Sequence, residues 1–298
     1  MADVADRIVV FGDVIDDVIA IPAGAIRADT DTPSSIERRA GGSAANMAVW
    51  LARAGGSVDF VGRVGVIDLE RHSRLLSDAG VRPMLAADHL LPTGTIVIIV
   101  EGESRTMLTE RGANAVLEPD SVSDAVLDGA RVVHFTGHSL TGRSDLSGFR
   151  RLIKRARARG VQVSVDPGSA GFLADLGARA FLTAIAGASI LFPSLEEGRL
   201  LTGLDDPEGI ALQLAKLFPV VALTLGTAGV IVAGADLAEP VTVEARVAST
   251  VDPTGAGDAF CAGFLHAWIL TGDAEAAALA GSQLAAEAVQ VVGGRPNL

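Results

Sequence analysis

Residues 251–265 read VDPTGAGDAFCAGFL, and this run holds the residue types and spacing best suited to chemistry. Pro253 breaks any preceding helix, a turn of small residues follows, and a largely apolar helix then runs towards Gly272. Gly255, Ala256 and Gly257 carry little or no side chain, so their N–H groups can come close to an anion. They also sit where a helix leaves its first N–H groups unpaired and its dipole positive. Such a cradle stabilises charge on a transferring phosphoryl group. Asp258, in the first turn, stands where a carboxylate can take a proton from an attacking hydroxyl. The competing reading is a capped helix with glycine for tight packing, and on this run alone that reading stays ahead.

The elements that must hold this turn follow from alternating apolar runs and amphipathic stretches, the pattern of strand–helix repeats around a mostly parallel sheet. Strands are expected at Arg7–Gly12, Val58–Val64, Arg131–Phe135, Val161–Val165, Ile190–Phe192, Val220–Leu225, Val230–Ala233 and Val241–Ala245. Helices are expected at Ser43–Ala54 with Ser43 as N-cap, at Leu69–Ala79, at Leu146–Arg159, from about Leu195, and at about Ala256–Leu270 and Ala274–Val289. Two segments break the alternation, about 18–39 and 93–109. Both read as strands without covering helices, the second as a hairpin with Gly102 near its tip. The expected fold is one α/β unit over 1–298, a doubly wound, mostly parallel sheet flanked by helices, with a small β-sheet lid.

Composition narrows the possibilities. The 298 residues include 49% hydrophobic and 4% aromatic residues and lack Tyr, so a pocket here must be built from aliphatic groups, backbone and carboxylates. The net charge of −12 repels a phosphate backbone and argues against nucleic-acid partners. It also repels a nucleotide, unless a metal ion and a helix terminus reverse the field locally. A single cysteine, Cys261, precludes an internal disulfide and fits a reducing compartment. The N-terminus lacks a secretory pattern, and the uncharged residues 180–193 fall short of a bilayer span, so a cytoplasmic, non-membrane protein is expected.

Asp252-Pro253-Thr254-Gly255-Ala256-Gly257-Asp258 resembles the C-terminal signature of the ribokinase (PfkB-type) carbohydrate kinases, and Gly41-Gly42-Ser43-Ala44-Ala45-Asn46-Met47-Ala48 resembles their N-terminal signature. The two blocks lie in the right order, and weaker similarities run from Val9–Asp17 through Val61–Gly65, Arg111–Asn114 and Asp166–Gly168 to Thr224–Gly229. The resemblance implies an ATP-dependent transfer of the γ-phosphate to a hydroxymethyl group of a ribose- or fructose-like sugar. A nucleoside kinase of the same family is the alternative, and a non-catalytic sugar-binding regulator on this fold is another. It implies Asp258 as base and the N–H groups of Gly255, Ala256 and Gly257 as anion hole. Asp13, Asp17, Gly41, Gly42 and Asn46 would bind substrate, with Arg105 or Arg38 in the lid as cationic contacts for an anionic one. Thr224, Gly226, Gly229 and Ser194 would meet ATP, and Glu197 would hold Mg²⁺ through water. Asp252 and Thr254 match positions that hold a monovalent cation such as K⁺. A homodimer through the lid is expected, because an exposed β-layer leaves edges and an apolar face to cover.

Two departures from the family pattern stand out. Ser194-Leu195-Glu196-Glu197 has Ser where the family commonly has Asn, and Val61–Gly65 is followed by VIDLERHS rather than an acidic pair and Gly. His134 and His138 are four apart but at a strand end, so they read as packed residues rather than metal ligands, with His138 near substrate loops. Cys261 reads as a small core residue.

Overall fold

The computed structural model describes residues 6–101 and 104–296; Gly102, the expected hairpin tip, lies outside the described residues. Thirteen strands form two sheets among these residues. Nine of them, β1 (Arg7–Phe11), β4 (Ser57–Gly65), β5 (Arg82–Asp88), β8 (Ala130–Thr136), β9 (Gln162–Asp166), β10 (Ile190–Leu191), β11 (Val220–Thr224), β12 (Val230–Gly234) and β13 (Val241–Val243), form the central sheet. Their order is β13-β12-β11-β10-β9-β8-β1-β4-β5, parallel except where β12 meets β11 and β13. Strand β1 lies between β4 and β8, so the chain leaves it first towards one edge and later towards the other. Ligands of doubly wound sheets bind at the carboxyl ends of strands around such a reversal. Here that place is Gly12–Asp17.

The apolar run of β1 is buried on both faces, with Ile8 and Val10 in one core and Val9 and Phe11 in the other. The first core is shared with α1 (Ser43–Arg53), α2 (Leu69–Asp78), α9 (Ala256–Thr271) and α10 (Ala274–Ala288). The second is covered by α3 (Asp124–Leu127), α4 (Ser147–Arg157), α5 (Ala170–Leu176), α6 (Ala178–Ala184), α7 (Leu195–Thr202) and α8 (Pro207–Ala215). Continuous apolar strands therefore mark burial on both faces, and the helices fall between them as the alternation required.

The smaller sheet has the order β3-β2-β6-β7, from β2 (Ile15–Pro22), β3 (Ser34–Gly41), β6 (Gly94–Glu101) and β7 (Ser104–Glu110). These are the two expected lid segments, the first slightly longer than expected and the second shifted by one residue. Register pairs Asp17 with Ile96, Ile96 with Thr109 and Ile98 with Met107, which puts these side chains on one face. The opposite face carries Val18, Ala20, Ile36, Val97, Ile99 and Leu108, with Ile36 66% and Leu108 56% exposed.

Small residues in α9 set its depth. A Cβ on Gly263 would meet the Ala280 carbonyl oxygen at 2.5 Å, and one on Gly281 would meet the Phe260 ring at 2.8 Å. The α9 and α10 backbones thus touch closely, which fixes where Asp258 stands. Gly263→Ala is expected to destabilise the protein by about 2 kcal/mol through overpacking. Gly24→Ala, where the added Cβ meets open space, is expected to change stability by less than about 0.5 kcal/mol. Chemical denaturation of both variants checks the pair.

Candidate active site

Asp258 lies in the first turn of α9, behind Gly255, which adopts the left-handed conformation at φ 79°. A side chain at Gly255 would be strained, and its Cβ would meet the Gly294 carbonyl oxygen at 2.6 Å. At Gly257 nothing lies within 4 Å of an added Cβ. The Asp258 carboxylate is gripped from α1: Ser43 Oγ donates to Oδ1 at 2.6 Å and Asn46 Nδ2 donates to Oδ2 at 3.2 Å. Burial raises its pKa from 3.8 to about 7 against the pull of these donors.

Helix α1 begins differently from expectation. Its N-cap is Gly42 at φ 94°, not Ser43, and no side chain caps it from that position. The first N–H groups are taken from outside the helix, Ser43 N–H by Asp13 Oδ2 at 2.9 Å and Ala44 N–H by Asp13 Oδ1 at 3.2 Å. That leaves the Ser43 hydroxyl to serve Asp258. The loop after β1 is clamped by Asn114, whose side-chain amide accepts from Val14 N–H at 3.0 Å and donates to Val14 O at 2.8 Å.

Asp17 is 8% exposed; burial raises its pKa to about 6, while Arg295 opposes the rise and Asp13 and Asp16 add to it. Gly41 leaves it room, because a Cβ there would come within 2.1 Å of Asp17 Oδ2. Asp13, Asp17, Gly42, Asn46 and Asp258 line one cavity of about 640 Å³, together with Gly255, Ala256 and Gly257. The sequence-predicted base, anion cradle and substrate residues thus share one space, except Gly41, which lies behind Asp17 outside the lining. The inner lid face, Ile96, Ile98 and Met107, forms its apolar wall.

Arg105 also lines this cavity, but its guanidinium is committed: Nη1 donates to Asp252 Oδ1 at 2.8 Å and to Thr254 Oγ at 3.0 Å. Thr254 N–H donates to the same Asp252 oxygen at 2.8 Å and Gly293 N–H to Oδ2 at 2.9 Å. Although burial opposes it, hydrogen bonds from Thr254 and Gly293, with Arg105 nearby, hold the Asp252 carboxyl below the usual range. The expected monovalent-cation ligands therefore face N–H donors and a guanidinium, a surrounding that does not fit K⁺.

Among the residues expected to meet ATP, Ser194 caps α7 in a reciprocal box: Ser194 N–H donates to Glu197 Oε2 at 2.8 Å, and Glu197 N–H to Ser194 Oγ at 3.4 Å. Ser in place of Asn thus acts as a helix cap. Thr224 N–H donates to Pro193 O at 2.9 Å, tying the end of β11 to this cap. Gly226 (φ 60°) faces open space, whereas a Cβ on Gly229 (φ 100°) would meet Val243 O at 2.1 Å. Ser194, Glu197, Thr224, Gly226 and Gly229 lie outside the lining of the Asp258 cavity. Asp166 bridges the two sides: it lines that cavity, and burial followed by the charges of Glu197 and Asp258 pushes its pKa well up.

The motif reading passed over three of these residues as site members. Asp166 was signalled by DPG after a strand. Phe172, edge-on to His138 with ring centroids 5.4 Å apart, had no sequence signal. Arg295 lies in the C-terminal run VVGGRPNL, which matched nothing recognisable. His134 is packed as expected, with Nδ1 2.8 Å from Ser164 Oγ and a pKa lowered to about 3 by burial. Cys261 is buried, and its thiol lies 3.6 Å from Asp166 Oδ2.

The model of the pfkB family carbohydrate kinases matches residues 5–298. The chain is 32% identical over 238 residues to a fructokinase from Klebsiella pneumoniae, covering 76% of this chain and 75% of that one. The structure is similar to an adenosine kinase from Sinorhizobium meliloti, with a TM-score of 0.87, 26% identity, and 99% and 97% of the two chains covered. It is also similar in fold to a putative Ribokinase II from E. coli in complex with ATP and Mg²⁺, with a TM-score of 0.83, 22% identity, and 97% and 94% covered.

The raised pKa of Asp258 has a consequence for stability. The folded chain keeps this proton between about pH 4 and pH 7, where the unfolded chain has lost it. Its contribution to stability therefore falls as pH rises through that window, and the cost is complete above pH 7. Asp258→Asn should accordingly be more stable than the unaltered protein at pH 8, by up to about 4 kcal/mol, with the gain vanishing near pH 4. Thermal melts at both pH values check this.

Proposed function

The chain belongs to the pfkB family of carbohydrate kinases, and on that premise we propose that it transfers the γ-phosphate of ATP to a hydroxymethyl group of a ribose- or fructose-like sugar. The observation that carries this reading is the cavity in which Asp258, the Gly255–Gly257 turn, Asp13 and Asp17 meet. Asp17 accepts from sugar hydroxyls, and Asn46 adds an amide that donates and accepts. Asp13 is already bonded at both oxygens to α1, so it chiefly holds the helix in place. Asp258 takes the proton of the attacking hydroxyl, and the first N–H groups of α9 face the developing phosphoryl charge. Mg²⁺ would neutralise charge on the nucleotide phosphates. Glu197 and Asp166 would hold it through water, and two adjacent buried carboxylates with raised pKa values suit a divalent cation.

A nucleoside is the second reading. The apolar wall of Ile96, Ile98 and Met107 opposite Asp17, with Phe172 in the same cavity, offers a base more apolar surface than the scarcity of aromatics suggested. The outer lid face, apolar along Val18, Ala20, Val97, Ile99, Ile36 and Leu108, favours a homodimer through the lid. Among the described residues no helix is long and apolar enough to cross a membrane, and a cytoplasmic enzyme is the setting proposed.

Coupled ADP release with Mg-ATP across pentoses, hexoses, sugar acids and nucleosides is expected to give turnover with one class. Asp258→Asn is expected to lower that turnover by about 10³-fold with ATP binding retained. Turnover by the variant close to that of the unaltered protein rejects the mechanism. ATP binding without turnover on any acceptor favours the regulatory reading.

A further inference from the structure

The C-terminal loop enters the site more deeply than its sequence suggests. Trp50 Nε1 on α1 donates to Gly294 O at 2.9 Å, and that carbonyl is the one a side chain at Gly255 would strike. A Cβ on Gly294 would come within 2.2 Å of Asn46 Nδ2, so only glycine lets the loop press so close. The next residue, Arg295, donates through Nε to Asn46 Oδ1 at 3.0 Å and through Nη2 to Gly41 O at 2.7 Å. The loop is wedged between α1 and the first turn of α9, and its guanidinium is buried behind the cavity wall, within reach of the charges of Asp17, Asp13, Asp16 and Asp258.

A guanidinium has only donors. Where it meets Asn46, the amide must present its oxygen, which turns Nδ2 towards Asp258. The same fork holds the carbonyl of Gly41, the glycine whose missing side chain makes room for Asp17. We propose that Arg295 is a positioning residue for phosphoryl transfer: it fixes the Asn46 amide so that it donates to the base and supplies the counter-charge for the acidic cavity. The inference rests on the reading of Asp258 as base. The groups facing Asp258 are Ser43 and Asn46 from α1, Asp13 from the loop after β1, Asp166 from β9, Cys261 from its own helix, and Arg295. Among those neighbours Arg295 is the cation. Burial holds its own pKa down to about 10, which leaves it charged throughout the working range.

The test compares unaltered protein, Arg295→Met and Arg295→Lys by two readouts: the pH dependence of kcat/KM, and ¹³C NMR titration of the labelled Asp258 carboxyl, assigned with Asp258→Asn. Arg295→Met is expected to move both the acid limb and the carboxyl titration up by about one pH unit, with kcat at pH 7 reduced and recovered in part at higher pH. Arg295→Lys keeps the charge and loses the fork, so the limb is expected to stay and kcat to fall about tenfold. If Arg295→Met does not fold, Arg295→Gln, which is also uncharged and keeps a donor, takes its place with the same expected shifts. A limb, a titration and a kcat all within about twofold or 0.2 pH units of the unaltered protein in the folded variants overturn the proposal. In the uncharged variant a purely structural role would lower kcat equally at every pH and leave the titration in place, which also overturns the proposal. The NMR arm reads Arg295 even if no acceptor is turned over, so failure of the kinase reading is seen separately.

Discussion

One carboxylate kept from water at the start of a helix is the constraint on which this structure depends. Asp258 ionised in a buried site costs free energy that only nearby donors can offset, and the fold supplies them from α1. That requirement explains why α1 starts with glycine and why its first N–H groups are met by Asp13 rather than by its own serine. It also explains why α9 is lined with residues small enough to pack backbone against backbone. Asp258, the proposed base, is held in this state at a cost, and the rest of the core maintains it there.

The same logic runs outward. Four carboxylates, Asp13, Asp17, Asp166 and Asp258, line one cavity of a strongly acidic chain. Their repulsion is contained by spending Asp13 on a helix terminus, by the left-over positive end of α9, and by Arg295 brought in from the far end of the chain. Arg105 performs a related service at Asp252, joining the lid to the loop that carries the anion cradle. The lid is thereby tied to the chemistry by an ion pair as well as by its apolar inner face.

The parallel sheet was legible because strands buried on both faces read as unbroken Val and Ile runs, and the lid because its strands lacked helices between them. The turn with Asp258 and the glycines beside Asp17 were legible as a cluster because their spacing is local: seven residues at 252–258 and eight at 41–48. What escaped was long-range. Arg295 meets Asn46 across 249 positions, and Arg105 meets Asp252 across 147. Neither run has a periodicity or turn signal that reveals its partner, so the bonds that Arg105 makes to Asp252 were not foreseen. Ser43 was misassigned because a serine before an apolar helix usually caps it, and only the distant Asp13 relieves it of that task. The helices α5 and α6 were unforeseen because Gly177 splits the stretch into two pieces too short to show a period.

The central claim is that a buried Asp258 must lose its proton before the acceptor hydroxyl can react. The pH dependence of kcat/KM for the unaltered protein, taken from pH 5 to 9 with its best acceptor, tests it most directly. The account predicts a rise through an apparent pKa of about 7 to a plateau, in step with the raised pKa of this carboxyl. A rate independent of pH across that range, or one that falls where the account has it rise, would contradict it.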